Sequence, residues 1–578
     1  MEHKSETKTH STSSVQVCQN CKQNFTIESE DFNFYEKIKV PPPTFCPMCR
    51  FRRRLESMNE RVFYKRKCDL TGKDIFSMYD SDVPFPVYEL DEWHSDKWDP
   101  HAYGADYDFS KSFFEQFLEL SNKVPRMSLV RQQDAVNSPY THRVTGPKNS
   151  YMVFRATYPE DSLYGYNSWY MRSCVDTAWI SNSELCYECV NCESCYNVRF
   201  SQDCNNCRDS SFLYSCRNCA DCIGCVNLVN KQFHIWNEPY TKEEYLEKIR
   251  ELRLETSSGL SKMEKQFPVF KKKFPQKAMI VLKSEGVSGN WFSNCKNVHK
   301  SFDCSEVKDG KYLFMVSKAE DCMDYFEWGN KAEMVYESEN CGLNIARIYF
   351  STQCWMGSSD LYYCDSCPGA RSCFGCVGLK KGEYSILNKK YSKEDYEKLR
   401  DRIILQMSEV PYTDLRGIKY FFGEHTPSSF SNLAYNETAA YDFFPLNKEE
   451  SLKAGYQWKD RQRTNYAVTV RSSDLPETIA EVSDSILDEV IECGEKESPH
   501  SVGAYRITGN ELSFYRRMNL PLPRACFDVR HMRRIAKRPS FNLVKRKCGK
   551  CAVEVETVYS EDCTPIIYCE KCYQQEVY

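Results

Sequence analysis

Three kinds of internal repetition predict a mixed, β-rich fold: two cysteine-rich β-solenoid-like arrays with helical caps, flanked by a duplicated metal-binding module. The terminal segments match each other at a constant offset of 480. Cysteines fall at every third position through the middle of the chain. Both cysteine tracts also finish on the same strand-then-helix signature.

The terminal match runs without a gap. Phe34 and Tyr35 fall on Phe514 and Tyr515, Cys46 on Cys526, Arg50 on Arg530, Lys65-Arg66-Lys67-Cys68 on Lys545-Arg546-Lys547-Cys548, and Tyr88 on Tyr568. Each copy has room for two knuckle pairs. In the N-terminal copy, Cys18-x2-Cys21 and Cys46-x2-Cys49 bring four thiolates together on two tight turns, a donor set that suits tetrahedral zinc. At the fixed offset the C-terminal positions are Ser498, Ser501, Cys526 and Val529, so no metal is expected there. The second set is reversed. Cys548-x2-Cys551 and Cys569-x2-Cys572, 17 residues apart, have zinc-ribbon spacing, while the N-terminal equivalents are Cys68, Thr71, Glu89 and Glu92. The expectation is about two zinc ions per chain, in closed four-cysteine sites that serve structure because no coordination position stays open.

Eleven cysteines between 174 and 225 all lie in one residue class modulo three, and Cys295, Cys304, Cys322, Cys364, Cys367, Cys373 and Cys376 share one class in a second tract, which Cys341 and Cys354 leave. A helix would show a period of 3.6 and a flat strand a period of 2. A narrow solenoid fits better, with one small inward residue per triplet. Recurrences at 18 (Cys186, Cys204, Cys222) suggest coils of about 18 residues. Cysteine is compact and readily buried, so a ladder of thiols can be a core. Additional zinc, an iron–sulfur cluster and redox-active dithiols are the competing readings. Each tract ends alike: Ile235-x-Asn237 before Thr241-x-x-Glu244, and Ile386-x-Asn388 before Ser392-x-x-Asp395, a capping box and its close relative opening a helix.

The organisation that follows is a disordered tail (1–14), an N-terminal zinc module (15–95) and a connector (96–160) with one helix capped by Ser110. The first array with its helix and a Lys-rich link (161–290) and the second array (291–405) come next. An irregular aromatic segment (406–475) precedes the C-terminal zinc module (476–578), which includes a helix near 476–492.

Net charge is −4, so no partner follows from global charge. Local charge is different. Arg50, Arg52, Arg53, Arg54, Lys65, Arg66 and Lys67 cluster in one module, and Arg530, Arg533, Arg534, Lys545, Arg546 and Lys547 in the other. Such runs attract phosphates, which makes RNA or the ribosome a candidate polyanionic partner. The alternatives are a solvated face or an intramolecular contact with the acidic stretch 303–340. No catalytic residue is identified: the ten histidines form no metal pattern, and no Walker, G-x-G-x-x-G or G-x-S-x-G motif occurs. A structural or self-assembling scaffold with a protein partner is the next reading, and a redox or metal-cluster enzyme the third. The polar first fifteen residues and the lack of a long apolar run point to a cytoplasmic protein with no membrane contact.

The run VPPPTFCPMCRFRRRL, the triplet array ending GCVNLVNK, the stretch YNETAAYDFFPLNKEE and FYRRMNLPLPRACFDVRH with the terminal CEKCY resemble an uncharacterised cysteine-rich zinc-ribbon or treble-clef family of small-genome candidate-phylum bacteria. The resemblance spans nearly the whole chain. It implies zinc at the eight cysteines of the two intact sets and implies no activity. The chain departs from the pattern at Ser498, Ser501 and Val529, where relatives carry cysteine, and its second array is poorer in cysteine.

Overall fold

The structure, a computed structural model, describes residues 13–131, 134–326, 336–338, 349–350, 357–460, 467–562, 564 and 566–577. The tail up to residue 12, Cys341 and Cys354 lie outside the described residues. The fold is mixed α/β with many small sheets, gathered into two compact units. One joins Met1–Ser128 to Ile280–Lys459, so the N-terminal module shares a unit with the second cysteine tract. The other joins Leu129–Met279 to Asp460–Tyr578, the C-terminal module with the first tract.

Both tracts are parallel ladders, and their backbone explains the period of three. From Arg143 to Trp236 every third residue has a positive φ, and so does every third residue from Asn294 to Asp324 and from Gly357 to Leu387. Asn, Asp and Gly tolerate this left-handed conformation best, and Asn191, Asn197, Asp203, Asn206, Asp209 and Gly224 all adopt it. Each left-handed residue bends the chain, and the extended residues between bends pair with those twelve positions on. Leu163 pairs with Val175, Tyr196 with Arg208, Cys222 with His234, Leu361 with Cys373 and Cys373 with Ser385. The repeat is therefore twelve residues and not 18. Cysteines 18 apart share an inward triplet position but do not pair, because four triplets, not six, bring the chain back into register.

The residue after each bend is buried, and its side chain does two jobs. Ser201 donates to the Arg199 carbonyl at 2.8 Å and accepts the Leu213 N–H, twelve residues on, at 3.0 Å. Ser183 and Ser210 do the same for the N–H groups of Cys195 and Cys222. The inward N–H would otherwise be a buried donor without a partner, which is costly. Cysteine replaces serine in this role: Cys189 Sγ donates to the carbonyls of Tyr187 and Val198 at 3.5 and 3.2 Å, and Cys367 Sγ accepts the Leu379 N–H at 3.4 Å. Cys186, Cys189, Cys192, Cys195, Cys204 and Cys207 form one apolar core with Val153, Ile180, Val198 and Leu213. The bends themselves carry outward side-chain ladders, such as Asn206 to Asn218 to Asn230, each step 2.9 Å.

Each ladder closes as its sequence suggests, and the shared asparagine has a purpose. Asn237 offers Oδ1 to the Val226 N–H at 2.8 Å and Nδ2 to the Val226 carbonyl at 2.9 Å, standing in for the strand that never comes. Asn388 treats Val377 identically, at 2.8 Å both ways. Thr241 and Glu244 then form the expected capping box on helix Lys242–Leu252, and Ser392 caps helix Lys393–Glu409. Two local expectations fail. The connector helix, Phe113–Ser121, is capped by Ser112 with Glu115 and not by Ser110, because only Ser112 places a Glu at the reciprocal position. The stretch 476–492 holds two single 3-10 turns, Ile479–Glu481 and Asp484–Leu487, and a strand, Ile491–Glu492, in place of a helix. Among the described residues no helix is long and apolar enough to cross a membrane.

These inward positions call for a small side chain that donates and accepts. Cys204→Ser is expected to cost less than about 1 kcal/mol, whereas Cys204→Phe should overpack the core and cost about 1–3 kcal/mol or more. Thermal unfolding checks this, and metal content should be the same in wild type and the serine variant.

Candidate metal centres and their anchorage

One local design occurs four times. A two-stranded hairpin carries the first ligand position at its turn, and the third ligand position immediately precedes a helix. The hairpins are Ser14–Val17 with Asn24–Ile27, Tyr64–Lys67 with Asp74–Ser77, Ile491–Glu492 with Ala504–Tyr505, and Val544–Lys547 with Glu554–Thr557. The matching helices are Pro47–Leu55, Leu90–His94, Phe527–Ile535 and Glu570–Val577. In all four the backbone N–H at the third position points to the first-position sulfur at 3.3 Å: Cys46 to Cys18, Glu89 to Cys68, Cys526 to Cys493, and Cys569 to Cys548. The N–H after that first cysteine also donates to a carbonyl just ahead of the helix in all four, at 2.8–3.0 Å.

Two of the four converge four thiols. Cys18, Cys21, Cys46 and Cys49 lie with every Sγ within 4.8 Å of the others, and so do Cys548, Cys551, Cys569 and Cys572. Cys21 and Cys46 stand 3.8 Å apart, as do Cys551 and Cys569. The environment favours a thiolate at the first position of each set, while burial and the neighbouring thiols push Cys46, Cys49 and Cys572 up. The Cys46 thiol's hydrogen bond, with that of Cys49, draws Cys18 well below the ordinary thiol range. Burial opposes ionisation at Cys548, but backbone N–H groups of Cys551 and Cys569 bring it down to about 6. Four soft donors at this spacing fit a tetrahedral divalent ion such as zinc, and all four positions are protein atoms. Among the described residues no other group of three or more His, Cys, Asp or Glu converges in this way.

The other two knuckles have lost the set. Cys68 faces Thr71, Glu89 and Glu92, as the spacing indicates. In the C-terminal module the fixed offset fails locally. Cys493, not Ser498, occupies the place of Cys18, because the turn from Cys493 to Gly503 is five residues longer than that from Cys18 to Gln23. The four positions are thus Cys493, Ser501, Cys526 and Val529, and two cysteines survive where the gapless match predicts one.

The basic run is largely spent inside the protein. Arg50 lies 2.7 Å from Asp324 and Arg54 3.5 Å from its other oxygen, all fully buried, while Arg53 pairs with buried Glu337 at 2.5 Å. Asp324 sits at a left-handed bend of the second ladder. The C-terminal unit repeats the arrangement on the first ladder. Arg530 and Arg534 reach buried Asp176 at 3.0 and 2.9 Å, and Arg534 and Lys537 also reach Glu188 at 2.7 and 3.5 Å. Burial opposes the charge on Arg50 and Arg530, yet their aspartates push both well above the usual range. The parallel extends further: Arg50 lies over Tyr312 and Arg530 over Tyr164, and those tyrosines donate to Asp31 and Glu511 at 3.1 and 2.8 Å.

Polyanion binding by Arg50, Arg53, Arg54, Arg530 and Arg534 is therefore corrected, because their guanidinium groups face internal carboxylates in a dry interior. For the N-terminal module the acidic partners fall inside the stretch 303–340. Arg52 is mostly covered beside Glu56, at 3.5 Å, and Arg66 beside Asp69, at 2.9 Å. Arg546 donates to the carbonyls of Tyr559, Ser560 and Thr564. Arg533 is half exposed and pairs with Glu495. Lys65 and Lys547 are exposed, and Lys67 and Lys545 are 64% and 68% exposed despite pairs with Asp74 and Glu554. The ladder aspartates that receive the arginines carry no motif, and nothing in the spacing of the sequence marks them.

Metal analysis should find about two zinc ions per chain, with Cys21→Ser and Cys551→Ser each losing about one. A content below one, or one unaffected by both substitutions, contradicts the assignment. Asp324→Asn removes the carboxylate that Arg50 and Arg54 share and is expected to destabilise its own unit by about 3–5 kcal/mol, and Asp176→Asn should cost less because Arg534 keeps Glu188 and Arg530 keeps Glu511, both read from denaturant unfolding.

No protein-family model matches the chain, and no curated protein is significantly similar to it.

Proposed function

We propose that this chain is a non-catalytic, zinc-stabilised binding scaffold. In this reading each parallel ladder closes into a four-sided β-solenoid with twelve residues per coil, and each terminal module is a treble clef held by one zinc ion. The closed coil is supported by the four left-handed bends in every twelve residues, which return the chain over its own starting point. The observation that carries the reading is the donor count at the two candidate centres. Four cysteines fill the tetrahedron in each, so no position is left for a substrate or an activated water. The arginines nearest the N-terminal centre are likewise committed, to ladder carboxylates. A core of reduced thiols calls for a reducing compartment, which makes the cytoplasm the natural setting.

The partner we propose is macromolecular. Polyanion binding, to RNA or the ribosome, contracts to the exposed lysines of two matching hairpins, Lys65 and Lys67 and Lys545 and Lys547. Self-association or a protein partner is the alternative for a rigid ladder with long flanks.

Cobalt(II) substitution tests the central point. A closed tetrathiolate site gives intense tetrahedral ligand-field bands that do not move when azide or imidazole is added; a shift would reveal an open position and favour catalysis. For the partner, fluorescence anisotropy with mixed-sequence RNA should show binding that weakens steeply with salt and is lost in Lys65→Glu/Lys67→Glu/Lys545→Glu/Lys547→Glu. Binding that ignores both salt and these substitutions rules out the polyanion reading.

A further inference from the structure

Cys493 and Cys526 remain once the two four-thiol groups are taken out. They occupy the first knuckle of the C-terminal module, where Cys18 and Cys46 stand in the other copy. Both are fully buried. The Cys526 N–H reaches Cys493 Sγ at 3.3 Å. The two remaining ligand positions hold Ser501 and Val529. Val529 and Ala525, with Val502 and Tyr505 packed alongside, give the pair an apolar surround. The knuckle is tightly closed: a Cβ on Gly494, directly after Cys493, would lie 2.8 Å from the Arg524 carbonyl oxygen.

We propose that Cys493 and Cys526 form a two-thiolate site for a soft monovalent metal ion, with copper(I) as the chemical match. A zinc ion needs four donors, and this knuckle offers it only two sulfurs. Copper(I) selects thiolate over harder ligands, and as a closed-shell monovalent ion it is satisfied by two sulfurs in line. A dry apolar shell suits such a complex, because it keeps out water and competing hard ligands. Binding releases the two thiol protons to solvent. Two thiolates around one monovalent ion carry a net charge of −1. The knuckle thus changes its metal rather than losing it.

The test uses the full chain, purified anaerobically with its zinc and titrated with copper(I) against a competing copper(I) chelator. Wild type is expected to retain one copper per chain while keeping its zinc, and Cys493→Ser to retain none while keeping its zinc. Release of zinc by the first equivalent of copper, or equal copper retention in wild type and variant, would overturn the proposal, since the metal would then sit at the zinc centres or among the ladder thiols. If Cys493→Ser itself loses zinc, Ser501→Cys/Val529→Cys decides. Completing the tetrahedron should add a third zinc and abolish copper retention, whereas an unchanged zinc content means that Cys493 and Cys526 do not hold metal-binding geometry.

Discussion

A left-handed residue at every third position is the constraint on which both units are built. It bends the backbone at fixed intervals, which sets the pairing distance at twelve residues. It also decides which side chains point inward, and leaves little room for them. Many inward residues are small, and Ser201 shows what such a residue can do, covering the Arg199 carbonyl and receiving an N–H from the next repeat, while Val153, Ile180, Val198 and Leu213 fill other inward places. Serine does both, and cysteine covers the carbonyls in the same way. The abundance of cysteine in the middle of the chain is thus a packing solution, in which the thiol adds apolar area that a hydroxyl lacks.

The same bends supply the docking points for the terminal modules. A bend turns one side chain per repeat outward, and at Asp176 and Asp324 that side chain is a carboxylate covered by a module helix. Two arginines one helical turn apart converge on it in each unit. Buried ion pairs of this kind contribute little net stability but strongly disfavour any register that breaks them. A metal ion held by the four thiols of each set would complete the arrangement. Thiols at the start of helices Pro47–Leu55 and Glu570–Val577 tie each helix to its hairpin, in modules whose strands are only two to four residues long. Small modules of this size need such a staple. In the first C-terminal knuckle Cys493 and Cys526 pack with Ala525 and Val529 in an apolar cluster where the other copy has four thiols. Tyr312 with Asp324 in one unit and Tyr164 with Asp176 in the other show that the duplication covers the ladder corner as well as the module.

Much of this was legible in the sequence, and the failures have physical causes. The period of three, the two intact cysteine sets, the closing strand and helix, and the pairing of one full site with one degenerate site in each module all follow from residue type and spacing. The repeat length did not, because cysteine positions report only the inward face, and the residue that sets the bend is the one ahead, an Asn, Asp, Ser or Gly before most ladder cysteines but Leu185, Glu188 and Tyr363 before three of them. Cys493 was hidden by a five-residue lengthening of one turn, which a gapless match cannot cross. The basic runs misled most. Charge density alone does not distinguish a solvated arginine from one aimed at a buried aspartate, and Asp176 and Asp324 lie more than 250 residues from their partners in sequence.

The twelve-residue register is open to a direct measurement on an exposed bend. Asn206 and Asn218 stack side by side with their amides 2.9 Å apart, a separation that suits a disulfide once both are cysteine. Mild oxidation of Asn206→Cys/Asn218→Cys should give the linked peptide pair by mass spectrometry. Asn206→Cys/Gly224→Cys, eighteen residues apart, should not link. Efficient linkage of the second pair without the first would contradict the account.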